Sequence, residues 1–413
     1  MTDEEYLKML YFENLYDFSN EDDCEHLREI NKNMVLDEKP MFSFMMCVYN
    51  DTRLLNTAIN SLLKQSFKQW ELVILDNSDD NNQAWEMIEN AMGTDRRIRG
   101  FRSDKNVGWP KGASICLKYV KGTYTTFLSA DDCINLESLA RMNDVLSREK
   151  PDILWVGNAY VNLQNDNSIA LEGVSVPKEY EVIYTDNRSD TIVKIMQDIY
   201  YNSFFHYMRV DFLKQNNIDF FEPFYADCGG MTKAMAIAKK MVVYNDIVYF
   251  LTLNTSQTVG RYSWDSYEYI FVNQWNSVKE VFLKEKYNNF EGIQYVAIRI
   301  LNNLFGNIES LCQGNCRDKY MNKIEKSLDD IIHQLEKIFM RKEILEMLVY
   351  AGVQCIDVLL NNLKTLKMWN INCESRLIKN SYLRALLENA LQDKDVSFDE
   401  KIKLYSVLIG NMK

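Results

Sequence analysis

The sequence predicts an α/β protein in which a mostly parallel sheet is flanked by helices and is followed by an all-helical region. Three observations support this prediction. Short apolar runs alternate with amphipathic segments between residues 42 and 156. Strands that are separated by helices of this length pair in parallel through right-handed crossovers. After residue 263, glycine and proline become scarce and apolar residues recur at helical spacing.

The individual elements follow from the periodicity of the apolar residues. Phe42–Val48 is a continuous apolar run, which is typical of a strand that is buried on both faces. Residues 53–67 carry their apolar side chains on one stripe and therefore predict a helix. The same patterns predict strands at 71–75, 98–102, 124–128 and 153–156, and helices at 82–92, 111–120 and 135–148. The polar sequence from 160 to 190 predicts loops or one additional strand.

Three domains are predicted along the chain. Residues 1–38 are acidic and carry leucines at helical spacing, which predicts an N-terminal helical extension that ends at Lys39-Pro40. Residues 39–262 form the α/β domain, and residues 263–413 form an all-helical domain. The helices of this last domain are predicted at 267–286, 292–313, 317–339, 341–365, 375–392 and 398–411. Three roles of the all-helical domain stay open: it could dock an acceptor, form a homo-oligomer, or simply pack against the α/β domain.

Composition excludes several classes of function. The formal net charge of -12 argues against nucleic-acid binding and against a polybasic membrane anchor. Nine cysteines at irregular spacings predict free thiols in a reducing compartment, and the single C-x3-C pair does not predict a zinc site. No apolar run has the roughly 20 residues that a membrane span requires, and the acidic N-terminus does not resemble a signal peptide. We therefore expect a cytoplasmic protein, either free or peripheral at the membrane.

Polar clusters follow the predicted strands at their carboxyl ends, where open α/β sheets bind ligands. The clusters are Tyr49-Asn50, Asp76-Asn77-Ser78-Asp79, Asn106-Val-Gly108 with Lys111-Gly112, and Ser129-Ala-Asp131-Asp132. Adjacent carboxylates repel each other and are costly to desolvate, so Asp131 and Asp132 indicate a cation that holds a nucleotide diphosphate. For Asp76 the alternative is a turn or a helix cap, and for the two glycines it is a tight turn that enters a helix.

Residues 42–160 resemble the nucleotide-sugar half of a family 2 glycosyltransferase with the GT-A fold, and a weaker resemblance extends to about residue 262. The resemblance rests on four segments taken together: Phe44-Met-Met-Cys-Val-Tyr-Asn50, Gln65-Ser-Phe with Trp70 to Ser78, Asn106-Val-Gly108 with Gly112-Ala113, and Lys121 to Asp132. It implies inverting transfer of a sugar from a nucleotide-diphosphate donor, most simply a UDP-sugar, to an acceptor hydroxyl.

The resemblance also implies roles for individual residues. Asp131 and Asp132 would hold a divalent cation, Mn or Mg. The donor would contact Tyr49, Asn50, Asp76, Asn106, Gly108, Lys111, Ser129, Asp131 and Arg261. Two departures from the family pattern are present, because Ser129 stands where an aspartate is common and Lys111-Gly112 replaces an arginine-asparagine pair.

Asp227 is the candidate general base, because Phe224-Tyr-Ala-Asp227 precedes a predicted helix at 231–240 and strands at 242–244 and 247–251, in the family's order. An N-cap is the structural alternative for Asp227, as a solvated surface position is for Arg261. Aromatic residues between 200 and 270 are either core or a stacking surface for an acceptor. The acceptor would be a glycan, a lipid-linked molecule or a protein.

Two other classes of function remain as alternatives. A degenerate domain that only binds or scaffolds is favoured by Ser129 and by Ala226, which stands where a glutamate is common. A nucleotidyltransferase also uses an α/β sheet and paired acids, but it requires a glycine-rich basic loop after the first strand. The segment Val48 to Arg53 has no glycine, so this alternative ranks third.

Overall fold

The structure is a computed structural model of the 413-residue chain. It describes residues 28–30, 39–50, 52–79, 82–104, 106–163, 169–184, 203–220, 226–253, 272, 275–276, 294, 297–298, 300–301, 341–352, 393, 395–397 and 399–403. The chain divides into two compact units, the first comprising 1–186 with 199–254 and the second 187–198 with 255–413. The domain boundaries predicted at residues 38 and 262 stay predictions.

The first unit contains an eleven-stranded sheet that is flanked by helices, which confirms the predicted α/β class. Its strands are β1 (Arg28–Ile30), β2 (Phe42–Val48), β3 (Trp70–Asp76), β4 (Ile98–Arg102), β5 (Tyr124–Phe127), β6 (Cys133–Ile134), β7 (Ile153–Leu163), β8 (Ile169–Ser175), β9 (Glu181–Tyr184), β10 (His206–Arg209) and β11 (Lys240–Leu253). Their spatial order is β1-β4-β3-β2-β5-β10-β7-β11-β6, and β8 and β9 pair with β7 and β11 respectively.

The helices of this unit connect the strands and cover the sheet. They are α1 (Leu55–Leu63), α2 (Gln83–Thr94), α3 (Gly108–Tyr119), α4 (Ser138–Glu149), α5 (Val210–Gln215) and α6 (Ala226–Ile237), with a 3-10 helix at Ser203–Phe205. Phe42, Phe44 and Met46 share one buried cluster with residues of α1, α2 and α4. Cys47, which alternates to the other side of β2, lies against Gly112 of α3. Strand β2 is therefore continuously apolar because helices cover both of its faces.

The predicted parallel pairing is present among the strands from β2 to β5. Strands β2, β3, β4 and β5 pair in parallel, and β7 with β11 forms another parallel pair. Strand β10 is antiparallel to both β5 and β7 and so joins the two parallel groups. Because β2, β3, β4 and β5 run in the same direction, the loops that follow them leave the sheet at one edge.

Three predictions about elements differ from the structure. Residues 28–30, predicted as part of the helical extension, form β1, because they pair with the edge of β4. The segment 160–190 contains the end of β7 and both β8 and β9, rather than loops with at most one strand. The two strands predicted at 242–244 and 247–251 are one strand, β11, because irregular register at Tyr244 to Tyr249 absorbs the polar interruption.

In the second unit, helix α7 (Lys342–Ala351) is the longest described element. Its buried Glu346 accepts a hydrogen bond from the Trp275 indole at 3.2 Å, and it ends at Gly352, which has a φ of 68°. The described part of the helix predicted over 341–365 therefore ends at Ala351, and residues 353–365 lie outside the described residues. The other predicted helices of this region lie largely outside the described residues, as does the N-terminal extension apart from β1. No helix among the residues that the structure describes is long and apolar enough to cross a membrane.

A buried polar network fastens the amino-terminal ends of β2, β3 and β4. The Glu71 carboxylate, which is fully buried, accepts hydrogen bonds from the Ser43 hydroxyl at 2.6 Å and from the Gly122 N–H at 3.2 Å. Its other oxygen lies 3.1 Å from Arg99, and the same guanidinium nitrogen donates to the Tyr119 carbonyl at 2.7 Å. The charged pair is thus compensated and hydrogen-bonded, which a buried ion pair requires.

Replacing one partner of this pair should be strongly destabilising. We expect Glu71→Gln to lower the free energy of unfolding by about 3–5 kcal/mol, because the buried Arg99 charge would lose its counter-ion. Urea denaturation would measure the loss. Arg141→Gln, which breaks the more exposed pair with Asp246 at 2.8 Å, is the control and should change the free energy by at most about 1 kcal/mol. Equal effects of the two substitutions would contradict the argument.

Candidate active site

The loops after β2 and β3 bind each other at the carboxyl edge of the sheet. Asn50 has a φ of 52°, a left-handed conformation that asparagine tolerates well. Its backbone N–H donates to the Ser78 hydroxyl at 2.9 Å, and its side-chain amide donates to Asp79 at 2.5 Å. The Asp79 N–H donates back to the Asn50 amide oxygen at 3.0 Å, and the Tyr49 hydroxyl lies 3.4 Å from Asp79. The first two sequence clusters are therefore one structural unit.

Asp76 and Asn77 place buried acceptors beside this unit. Asp76 has no exposed surface; one carboxylate oxygen accepts the Ser78 N–H at 2.9 Å, and the other lies 3.5 Å from Arg102. Asn77 is 3% exposed, and its side-chain oxygen has no hydrogen-bond partner among the described residues. A buried acceptor that lacks a donor is costly, so the end of β3 is suited to a ligand that brings hydrogen-bond donors.

The third cluster forms the start of α3. The Asn106 side chain accepts a hydrogen bond from the Gly108 N–H at 2.8 Å, and Gly108 has a φ of 74°. Lys111 follows in the first turn of the helix with a partly exposed side chain. Gly112 lies inside the helix, and a Cβ there would lie 2.8 Å from the Cys47 sulfur and 3.3 Å from the Asn77 amide nitrogen. Gly112 thus permits α3 to pack closely on the ends of β2 and β3.

The fourth cluster is a turn between β5 and β6, which we call the acidic turn (Ser129–Asp132). Its ends are joined by a hydrogen bond from the Asp132 N–H to the Ser129 carbonyl at 3.2 Å. Asp131 is partly exposed, whereas Asp132 is only 5% exposed. The Asp132 carboxylate accepts the Tyr249 hydroxyl at 2.6 Å and the Thr252 N–H at 2.7 Å, both from β11. The two adjacent acids therefore have different surroundings.

Nearby titratable groups respond to both acids of the turn. Burial raises the pKa of the Cys133 thiol to about 11, and the charges of Asp132 and Asp131 add to the effect. Burial also holds the pKa of the Tyr249 phenol well above its ordinary value, with the Asp132 charge and hydrogen bond reinforcing the shift. The raised pKa favours the protonated phenol, which is the form that donates to Asp132.

Aromatic rings link the acidic turn to the start of α3 and to the segment before α6. Trp109 and Phe127, the last residue of β5, have ring centroids 5.2 Å apart, and Phe220 packs on Phe127 at 5.0 Å. A Cβ at Gly230 of α6 would lie 2.9 Å from the Phe220 ring, so α6 contacts that ring directly. Tyr207 and Phe220 are core residues, as one of the two interpretations of the aromatic segment predicts.

The structure brings together many of the residues that the sequence singled out. Tyr49 and Asn50 adjoin Asp76 at neighbouring strand ends, and Ser129 shares the acidic turn with Asp131 and Asp132. The backbone of Asp227 lies in the first turn of α6, one residue inside the helix rather than before it, and Arg261 lies outside the described residues.

Two further residues of the site have no sequence signal of their own. Asn77 follows Asp76 in a cluster typical of a turn, and only its burial distinguishes it. Tyr249 lies in an apolar strand 117 residues from Asp132, so its contact with the acidic turn depends on the fold. Within the described part of the chain, no group of three or more His, Cys, Asp or Glu side chains is arranged to hold a metal ion.

Comparisons with known proteins agree with this geometry. The sequence model of Glycosyl transferase family 2 matches residues 43–174. An uncharacterized glycosyltransferase of Haemophilus influenzae is 28% identical over 182 residues, which cover 44% of this chain and 70% of the relative. The Escherichia coli protein named UDP-Glc:alpha-D-GlcNAc-diphosphoundecaprenol beta-1,3-glucosyltransferase WfgD is 24% identical over 187 residues, which cover 43% of this chain and 72% of the relative.

A solved structure extends the likeness of fold over most of the chain. The crystal structure of Staphylococcus aureus TarS 1-349 in complex with UDP-GlcNAc has a TM-score of 0.56 to this chain. It is 19% identical in sequence, and the alignment covers 89% of this chain and 90% of TarS 1-349. At this level of identity the likeness is one of fold.

The sheet order and the likeness to TarS define the GT-A fold. The family match and the relatives make the assignment more specific: residues 43–174 match Glycosyl transferase family 2, and the relatives, which are named glycosyltransferases, support a glycosyltransferase activity for the protein.

Close packing at Gly112 should matter for both stability and nucleotide binding. We expect Gly112→Ala to be less stable by about 1–3 kcal/mol than Gly93→Ala, because its methyl group would displace Cys47 or Asn77. Gly93 is a matched helical position where an added Cβ would meet nothing within 4 Å, so its substitution gains only helix propensity, about 0.5–1 kcal/mol. Thermal unfolding and UDP titration of both variants would test this. If Gly112→Ala binds UDP with unchanged affinity, the close packing at Gly112 affects stability only and the prediction for nucleotide binding is wrong.

Proposed function

We propose that the protein transfers a sugar from a UDP-sugar donor to an acceptor hydroxyl, with inversion at the anomeric carbon. The observation that carries the donor assignment is the pair of buried acceptor residues, Asp76 and Asn77, at the end of β3. The imide N–H of uracil and the ribose hydroxyls are donors that such acceptors would bind. Tyr49 and Asn50 occupy the adjoining loop and would complete the nucleoside site.

The relatives support a nucleotide-sugar donor. The Escherichia coli relative is named for UDP-Glc, and the Staphylococcus aureus neighbour has been solved with UDP-GlcNAc and with UDP. In our proposal Asn106 and Gly108 shape the loop beside the donor, while Lys111 and Arg261 supply positive charge for the diphosphate. The acceptor would be a glycan, a lipid-linked molecule or a protein, within bacterial glycan assembly.

A divalent cation, Mn or Mg, would neutralise the charge that develops on the departing diphosphate. The acidic turn fits such a group in part: Asp131 is a partly exposed carboxylate, whereas both oxygens of Asp132 accept hydrogen bonds from β11. Hard cations in phosphate-transfer sites commonly have one or two carboxylates, with substrate phosphates and water as the other ligands. We therefore assign Asp131 as the principal carboxylate ligand, with Asp132 completing the acidic turn and Ser129 directed to the ribose.

Asp227 is the proposed general base. It would accept the proton of the acceptor hydroxyl as that oxygen attacks the anomeric carbon from the face opposite the leaving diphosphate. Supporting this, α6 contacts Phe220, and Phe220 packs on Phe127, which lies two residues before the acidic turn. These contacts support a position of α6, the helix that begins at Ala226 and Asp227, on the same side of the sheet as the acidic turn.

The donor assignment and the cation assignment can be tested by one titration. We expect UDP to bind the wild-type protein, and Mn²⁺ to tighten that binding. Asp131→Asn should remove most of the tightening, about 10- to 100-fold in affinity, because it deletes one charged contact. Asp144→Asn, at an exposed position of α4, is the control and should behave like the wild type. Isothermal titration calorimetry with and without EDTA provides the measurement.

The outcomes separate the alternatives. UDP binding without any effect of Mn²⁺ would contradict the cation assignment and would favour a scaffold protein, the alternative that Ser129 suggests. No binding of UDP under either condition would contradict the nucleoside site at Asp76 and Asn77.

Removal of the proposed base should impair transfer but not binding. We expect Asp227→Asn to bind UDP-sugar with wild-type affinity and to lose transfer by about 100-fold or more, the usual scale for a general base. Release of UDP in the presence of the sugar donor and an acceptor extract would measure turnover. Near-normal turnover in this variant would show that another group accepts the proton.

A further inference from the structure

The hydroxyl of Tyr249 contacts both ends of the acidic turn. It accepts the Ser129 N–H at 3.2 Å and donates to an Asp132 carboxylate oxygen at 2.6 Å. Its ring is fully buried and packs edge-on against Phe205, with the ring centroids 5.4 Å apart. One phenol on β11 therefore holds the first and the last residue of a turn that belongs to the connection between β5 and β6.

This contact determines which acid the turn presents. Tyr249 and the Thr252 N–H engage both oxygens of Asp132 and hold that side chain towards β11. Asp131 lies between the two fixed residues and keeps part of its surface exposed. Two adjacent carboxylates repel each other, and hydrogen bonds to Asp132 stabilise its charge beside Asp131.

We infer that Tyr249 is a positioning residue that fixes the acidic turn, so that Asp131 meets a diphosphate-bound cation in a defined geometry. The inference rests on the proposed function, since it assumes that a cation binds at this turn. Tyr249 does not touch the cation itself; it acts through Ser129 and Asp132. Residues that orient metal ligands through hydrogen bonds, without contacting the metal, typically change metal affinity by about 10- to 100-fold when they are removed.

The chain offers a matched control in Tyr207. This tyrosine is also fully buried in the same core, but its hydroxyl has no hydrogen-bond partner within the described part of the chain. Both Tyr→Phe substitutions delete one hydroxyl and keep the ring and its packing. A general consequence of deleting a buried hydroxyl would affect both variants, whereas a positioning role would affect only Tyr249→Phe.

The experiment measures UDP binding by calorimetry in EDTA and over a series of Mn²⁺ concentrations. In EDTA we expect Tyr207→Phe to bind UDP like the wild type. The UDP affinity of Tyr249→Phe in EDTA is the reference for its own response to metal, because Tyr249 also holds Ser129, which is directed to the ribose. With Mn²⁺, Tyr249→Phe should need about 10- to 100-fold more metal than wild type and Tyr207→Phe for the same gain in affinity. Thermal unfolding of each variant would confirm that it is folded at the assay temperature.

A second substitution tests whether Tyr249 acts through its hydrogen bond to Asp132. In an Asp132→Asn background, adding Tyr249→Phe should cause less than a third of its effect in the wild type, because the charged acceptor has already been removed. An equal effect in both backgrounds would overturn this route.

Two further results would overturn the inference, and they are distinguishable. If wild type responds to Mn²⁺ and Tyr249→Phe responds identically, the positioning role is wrong and the proposed function stands. If the wild type binds UDP but shows no response to Mn²⁺, the cation assignment fails, and the role of Tyr249 fails with it.

Discussion

A carboxylate that is almost fully buried must be hydrogen-bonded, and Asp132 meets this requirement through strand β11. The hydrogen bonds of Asp132 therefore connect two distant parts of the sheet. The acidic turn leaves β5, which pairs with β2, and then enters β6, which pairs with β11. Asp132 therefore joins β2 and β5, beside the proposed nucleoside site, to the long strand of the other half. The positions of Asp131 and of the loops after β2 and β3 are set by one continuous framework.

The two ends of β2 and β3 use polar groups in opposite ways. At the amino-terminal ends, Ser43, Glu71 and Arg99 satisfy one another, so that network contributes to stability and needs no ligand. At the carboxyl ends, Asn77 keeps a buried oxygen without a partner among the described residues. Natural proteins rarely leave such an atom unsatisfied, and the exceptions often mark functional sites. This contrast supports the proposed nucleoside site at the carboxyl edge of the sheet.

Local pattern was sufficient to predict the class of fold and several residues of the candidate site. Alternating apolar runs predicted β2 to β5 and their helices, because each strand is buried on both faces and each helix on one. The sequence could not predict β1, which exists through pairing with β4, or the role of Gly112, which reflects contact with Cys47. The contact between Tyr249 and Asp132 could not be predicted from sequence either, because a tyrosine in an apolar strand is usually a core residue.

The number of carboxylates that the acidic turn offers determines whether a cation would bind before the nucleotide or together with it. The family commonly places an aspartate where this chain has Ser129, and Asp132 is already engaged by β11. Asp131 is then the main negative charge that the turn offers to a cation. One carboxylate is a poor site for a hard divalent ion in water, since such ions release their hydration shell reluctantly. A diphosphate adds oxygen ligands and negative charge of its own, so the nucleotide and the cation should enter this site together rather than in sequence.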